Sequence, residues 1–339
     1  MILLHVWGKD DEISIISPAS IAASWILHLV LAPQSAPFEI VTSNNTNLSS
    51  INELPVLVVN EDEKYSGLDE IVSYIEDKYQ SSKYASSKSM STQQQLLNRG
   101  LLNLLTSKIQ YINQYNLYSN TKNYEKFTRK LFATYFPFPM MYNQPLKFHN
   151  QAQEQIKLLG LSKNQVSFFS FIGGGGGGED QEVAQTEIFN DEISDDDDEQ
   201  DQVAISSLHE KQLLKKSKTK QVLQESKNSM RCLILINHYI NEFVKLYAKN
   251  GGDQKFGYIF GDAPSSSELL FYAYIVCLTS EKLPDRFIYN YLLLKQPDAL
   301  KFIDETTKNY KLDTFRDPVG VEIPNLFNEI GYWVGSIRY

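Results

Sequence analysis

Five histidines, two cysteines and a scatter of serines are the residues through which this chain could do chemistry, and their spacing offers little of it. His5, His28, His149, His209 and His238 are dispersed, no two within four residues, so the close ligand pairs of a zinc site are missing. They read as structural side chains, His5 on a strand and His28 and His238 on helices. Cys232 and Cys277 stand 45 residues apart in apolar stretches with helical periodicity. Two isolated thiols of that kind read as small buried hydrophobes in a reducing, cytosol-facing setting. No Gly-x-Ser-x-Gly element raises a serine onto a sharp turn. The run Gly173 to Gly178 is followed by Glu179-Asp180, where a phosphate loop needs Gly-Lys-Ser/Thr, and two carboxylates would repel phosphate. Basic residues form no stripe interleaved with aromatics, so nucleic acid is not an expected partner. No metal and no cofactor are expected.

The elements that must position these groups fall into two styles. Leu3-Leu4-His5-Val6-Trp7 reads as a buried strand ended by Gly8. Ser17-Pro18 is a helix start, a hydroxyl cap followed by proline where no N–H is needed, and the helix should run to about Leu31. Phe38 to Thr42 is a second strand. Pro55 opens a third over Val56 to Val59, and a short fourth around Lys64-Tyr65 leads through Gly67 into a helix. That helix sets Leu68, Ile71, Val72 and Ile75 on one face.

Beyond residue 92 the periodicity is helical. Leu97, Leu101, Leu104, Leu105, Ile109 and Ile112 mark one long helix, and Cys232, Ile236, Tyr239, Ile240, Phe243 and Tyr247 another. A third has an explicit beginning, because Ser265 and Glu268 stand at the spacing of a capping box. Each side chain would accept from the other's backbone N–H. Leu269, Ala273, Val276 and Cys277 supply its buried face, while Pro284 and Pro297 open shorter helices.

With 42% hydrophobic residues, 20 Tyr and 18 Phe, the chain can bury a substantial core. Its net charge of −9 is unevenly spread. Of 41 acidic residues, twelve lie between Glu179 and Asp201 with no Lys or Arg among them, leaving 29 against 32 bases elsewhere. A nearly neutral folded part therefore carries one strongly acidic loop. With its glycine run and the Lys-rich stretch from Lys211 to Lys220, the segment 162–228 is expected to stay unfolded. It reads either as a solvated insertion or as an electrostatic lure for a basic partner surface. Ser194, followed by four Asp, is a candidate phosphosite. The start reads as neither a secretory signal nor an Arg-rich presequence. The sequons at Asn44 and Asn47 are thus not expected to be glycosylated. The most apolar window, Ile15 to Pro33, carries three serines and His28 and reads as a core helix, not a membrane span.

One more stretch stands out. Between Phe132 and Phe148 lie Tyr135, Phe136, Phe138, Met140, Met141 and Tyr142, broken by Pro137, Pro139 and Pro145. The prolines argue against a continuous helix. The segment reads either as a loop packed over the core or as a contact patch formed by Phe136, Phe138, Met140, Met141 and Tyr142, facing a partner subunit or a lipid interface.

Several of these segments together resemble the metaxin family: the opening Leu-Leu-His-Val-Trp-Gly with Trp7, the Asn-rich loop before Glu53-Leu54-Pro55, and Ser66-Gly67-Leu68-Asp69-Glu70-Ile71-Val72-Ser73-Tyr74-Ile75. Phe136 to Tyr142 and the Phe-Gly-Asp-x-Pro box before Ser265 complete the set. The resemblance implies an α+β chain with a thioredoxin-like domain (1–80) and a linker (81–92). An all-helical glutathione-transferase-like domain follows in two parts (93–161 and 229–339), with 162–228 inserted. It further implies a cis Leu54–Pro55 bond.

In an active glutathione transferase a hydroxyl or thiol at the first strand-to-helix turn activates the substrate thiol, and Ser14 and Ser17 lie there. Ser17 is accounted for as a helix cap. An acid or amide followed by Ser should begin the helix after the fourth strand, yet those positions are Gly67 and Leu68. Moving the frame to use Ser66 puts Tyr65 in the acid position. The resemblance thus implies a non-catalytic subunit, peripheral on the cytosolic face of the mitochondrial outer membrane, in the machinery that sorts and assembles β-barrel proteins. Its implied partners are a second metaxin-like subunit, the barrel-forming core subunit, the translocase receptor and β-barrel precursors, with the membrane reached through these partners. The competing expectation is a divergent glutathione-dependent enzyme or thiol-binding regulator.

Overall fold

The structure, a computed structural model, describes residues 1–60, 63–161, 207–250, 257–310, 312 and 314–334. Its first element, β1 (Ile2–His5), is followed by a tight hairpin of β2 (Gly8–Lys9) and β3 (Glu12–Ile13). Gly8 cannot be replaced there, because a Cβ would sit 2.3 Å from the Glu12 carbonyl oxygen. Helix α1 (Pro18–Leu31) begins as its Ser-Pro start dictates: the Ser17 hydroxyl accepts from the Ser20 N–H at 3.3 Å, and Pro18 occupies the first turn.

Strands β4 (Phe38–Val41), β5 (Val56–Val59) and β6 (Glu63–Ser66) complete the local sheet, and α2 (Gly67–Lys78) packs back against it. β1 lies between parallel β4 and antiparallel β5, with Leu4 beside Ile40 and Leu57, and β6 pairs antiparallel on β5. The Leu54–Pro55 bond is cis, as is Phe138–Pro139.

The helical layer opens with α3 (Thr92–Leu104), whose Ser91 and Gln94 form a capping box. Wider π turns at Leu105–Ile109, Tyr115–Ser119 and Tyr124–Thr128 alternate with α4 (Gln110–Gln114), α5 (Thr121–Asn123) and α6 (Arg129–Tyr135). Next come α7 (Met140–Lys157), α8 (Ser207–Asn250), α9 (Ser266–Thr279), α10 (Phe287–Lys295), α11 (Pro297–Thr307) and α12 (Leu326–Trp333). β7 (Phe315–Arg316) lies between the last two helices in sequence but joins the sheet, running parallel to β4 at its outer edge.

The chain forms two compact units, Met1–Ser162 with Asn228–Tyr339, and Lys163–Lys227. In the first, sheet and helices share one hydrophobic core that extends from Leu4 and Ile26 to Phe243 and Phe271. α9 runs through its middle, buried along nearly its whole length, and packs on α1.

Four expectations need correction. α8 starts at Ser207, so the Lys-rich residues expected to be unfolded are helical; from Ser207 to Asn250 there is no Gly or Pro, and Leu, Lys, Gln and Glu are good helix formers. The acidic loop itself, and Ser194 with it, lies outside the described residues. Pro145 sits inside α7, in its second turn, buried with Ala152 and Ile156; packing of that face outweighs the missing hydrogen bond. Leu97 is exposed, although Leu101, Leu105, Ile109 and Ile112 are buried as their spacing requires. Pro297 opens α11, whereas Pro284 precedes α10 by a short turn.

Candidate functional site

The place where a thioredoxin-like fold holds a small thiol lies around Pro55, the first strand-to-helix turn and the start of α2. Its groups are already engaged with one another. Ser17 caps α1 and its hydroxyl is 2.8 Å from that of Ser20. The Ser14 hydroxyl accepts weakly from the Ile16 N–H at 3.4 Å and meets the Tyr135 hydroxyl. Burial pushes Tyr135 up to about 12, although the Ser14 contact pulls the other way, so that hydroxyl is no base at neutral pH. Neither serine has a basic partner that would make it a nucleophile.

The start of α2 is filled by the protein itself. Gly67 donates its N–H to the Pro55 carbonyl at 2.9 Å, at a φ of +81° that suits glycine. The Ser66 hydroxyl accepts from the Ser50 N–H at 3.2 Å, and the Ser66 N–H donates to Glu70 at 2.7 Å. A helix start is an anion site, and here the Glu70 carboxylate occupies it. Ile51 leans over the same spot, its side chain 3.3 Å from where a Cβ on Gly67 would stand, and Leu68 points into the core. A peptide carboxylate would meet Glu70 on the Ser66 N–H and Ile51 over Gly67, and Leu68 has no side-chain donor to offer it. Sequence reasoning found the loss at Gly67 and Leu68 but missed Glu70 and Ile51. An acid three residues past Gly67 was the available signal.

Other candidate chemistry is equally absorbed into structure. Cys232 and Cys277 are free, buried thiols, and burial pushes both well above the usual cysteine range. His5 is buried and held neutral, its pKa lowered to about 4 by loss of solvent, with Glu322 3.9 Å away opposing the shift. Among the described residues no group of His, Cys, Asp and Glu could hold a metal ion.

The structural markers hold the unit together. Trp7, at the end of β1, is boxed by Phe132, Phe136 and Phe148 edge-on at 5.6–5.9 Å, with Tyr135 at 6.1 Å. Ser265 and Glu268 form the expected capping box, and Glu268 does more than close α9. It accepts from the Ser265 N–H at 2.9 Å, the Ser265 hydroxyl at 2.8 Å and the Ile259 N–H at 2.8 Å. It is fully buried, and desolvation raises its pKa to about 7 against the pull of those three bonds.

The Asn-rich loop is a clamp for the chain's last part. Asn44 exchanges hydrogen bonds with Gly8, Asn45 donates to the Val321 carbonyl at 3.0 Å, and Asn47 donates to Glu329. Arg316 lies 3.1 Å from Glu39 and 2.8 Å from Glu322, fixing β7 at the sheet edge.

The proposed contact residues divide. Phe136 and Met140 are buried, Phe136 against Trp7, and belong to the core. Met141 is half-buried against it. Phe138 and Tyr142 are 77% and 59% exposed and touch each other edge-to-face at 6.2 Å. One helical turn on, Leu146 is exposed too. The division follows from helix geometry: four residues apart on α7, Tyr142 and Leu146 look outward, with Phe138 just before the helix beside Tyr142, while Met140 and Pro145 look in. Residues of α7 and α12 line a groove of about 360 Å³, and α12 also carries Phe327, 84% exposed, and Ile330, with Val334 exposed just after it. The molecule therefore has a filled thiol site and an open apolar face.

No curated protein matches the chain. Two family models do. Residues 20–149 match one described as an outer mitochondrial membrane transport complex protein, and residues 189–337 match the Tom37 C-terminal domain. The matches span both the sheet-containing half and the α9 core, and the fold is the mixed sheet followed by helices that the metaxin-like motifs imply. The chain belongs to the Tom37 family, metaxin-like proteins of the outer mitochondrial membrane transport complex.

Proposed function

We propose that this protein is a non-catalytic docking subunit of the outer-membrane machinery that inserts β-barrel proteins. It sits peripherally on the cytosolic face, beside a second metaxin-like subunit and the barrel-forming core subunit. There it receives precursors from the translocase receptor and steadies or releases the forming barrel. The mechanism is binding and positioning, with no bond made or broken.

The observation that carries this reading is the start of α2, where Glu70 and Ile51 stand where a glutathione carboxylate would have to bind. A transferase needs that site, whereas a scaffold needs only the surfaces around it. Family membership supports the membrane and the transport role. Among the described residues no helix is long and apolar enough to cross a membrane, which fits a peripheral position. Phe138, Met141 and Tyr142 are the contact residues we assign to the exposed face; Phe136 and Met140 support them from beneath.

Native purification of the tagged full-length protein from mitochondria tests the reading. A barrel-forming membrane subunit should co-purify in stoichiometric amount. Recovery of the protein alone, with glutathione-conjugating activity in the eluate, would establish the enzyme reading instead.

A further inference from the structure

The exposed apolar face belongs to a stretch with an unusual charge. From Lys126 to Gln153 there is no Asp or Glu, although the whole chain carries a net charge of −9. The same stretch holds Lys126, Arg129, Lys130 and Lys147, all exposed. Lys126, Arg129, Lys130 and Ala133 recur at helical spacing, so they make one outward ridge that descends α6 to Pro137 and Phe138. The basic residues looked scattered in the sequence; the helix gathers these three. α7 packs on α6 and returns with Tyr142, Leu146 and Lys147.

None of these four cations takes part in an ion pair among the described residues. Glu125 directly precedes the ridge, one turn before Arg129, and Glu329, which accepts from Asn47, shares a groove with Lys147, yet neither is ion-paired to these cations among the described residues. Asp10 and Glu12 border a hollow lined by Phe127, Leu131, Thr134 and Tyr135, and Glu12 is paired with Lys282. Phe138 just before α7, Tyr142 and Leu146 on it, Phe327 and Ile330 on α12 and Val334 just after it are all exposed. Other residues of these two helices, Met140, Asn143, Lys147, Leu326 and Glu329 among them, line one groove.

From this juxtaposition we infer that the α6–α7 turn, with α12, is a membrane-contacting surface. It lays Phe138, Tyr142 and Phe327 into the interfacial layer of a bilayer while Lys126, Arg129, Lys130 and Lys147 meet anionic phospholipid headgroups. The inference rests on the peripheral position proposed above and adds direct lipid contact to attachment through partners. Composition favours lipid over a protein occupant. Protein interfaces are depleted in Lys, whereas interfacial membrane surfaces combine Lys and Arg with exposed aromatic and aliphatic side chains. A protruding Phe held in a Pro-Phe-Pro turn is also shaped to enter a soft layer instead of a preformed pocket.

The test uses purified full-length protein and co-sedimentation with phosphatidylcholine vesicles, alone or mixed with phosphatidylserine. Binding should be stronger to the mixed vesicles and weaken as salt is raised. The triple variant K126Q/R129Q/K130Q should lose on the order of a hundredfold in partitioning to mixed vesicles, since each cation near an anionic surface contributes about fivefold. F138S/Y142S should lose roughly tenfold or more on both vesicle types. Both variants should keep the wild-type melting temperature, because every altered side chain is exposed. The control K157Q/K245Q/K301Q, on other faces, should bind as wild type. Equal loss in that control, absence of vesicle binding, or retention of an acidic peptide or single-stranded RNA without vesicle binding would each overturn the inference. If vesicles are not bound but the barrel-forming subunit still co-purifies, lipid contact alone is lost and the docking role stands.

Discussion

Glu268 shows how a single side chain can look catalytic and be structural. A buried carboxylate with a raised pKa is what an acid–base catalyst often has, yet its oxygens are spent on Ser265 and Ile259 and it lines neither of the two hollows described above. Replacing Glu268 with Ala removes three buried hydrogen bonds, and should cost about 2–5 kcal/mol in chemical denaturation. The cost should depend on pH. Burial raises the folded-state pKa from the usual 4.5 to about 7, so the folded protein holds a proton there that the unfolded chain releases. That contribution is fully present below 4.5 and is lost as pH rises through about 7. The difference between wild type and E268A should therefore be largest in acid and shrink toward neutral pH; a difference that grows with pH would contradict it. The capping role of Glu268 was legible from its spacing to Ser265. Its reach to Ile259 was not, because that bond depends on how the preceding loop folds back.

At the scale of elements, those that announce themselves locally were read well. Ser17-Pro18, Ser265 with Glu268, and the Pro55 strand each carry their own signal within a few residues, and α1, α9 and β5 begin accordingly. What escaped depends on distant partners. β7 is only Phe315–Arg316 and exists because β4, far back in the chain, offers it an edge. Pro145 is tolerated in α7 because that face is buried, a tertiary override of a local rule. The split of Phe136 and Met140 from Phe138 and Tyr142 needed to know that α7 runs through Pro145. β7 gives a test at this scale. Arg316 holds it between Glu39 and Glu322, and the Ile40 N–H donates to the Thr314 carbonyl at 2.7 Å beside it. R316A should weaken that edge by about 1 kcal/mol, seen as roughly fivefold faster hydrogen exchange at the Ile40 amide. Unchanged exchange there would mean that backbone pairing alone secures the strand.

Over the whole molecule, fold and function separate cleanly. The sheet, the cis Leu54–Pro55 bond and the buried α9 retain a transferase-like framework, and Trp7 locks its first strand to α6 and α7. The ligand end of that framework is closed by Glu70, Ile51 and Leu68, while the outer side of α7 and α12 is left apolar and open. That Gly67 and Leu68 stand in place of an acid and a Ser is legible in the sequence; that Glu70 and Ile51 occupy the helix start is not, since Ile51 reaches it from a loop that sequence alone does not place. Calorimetric titration of the purified protein with glutathione tests the central claim most directly. No saturable heat should appear, in wild type or after E70A, because Leu68 still offers no side-chain donor and Ile51 still covers Gly67. Saturable binding by the wild type, abolished by substitution at Pro55 or Ser66, would contradict the claim that this framework has given up its small ligand for docking.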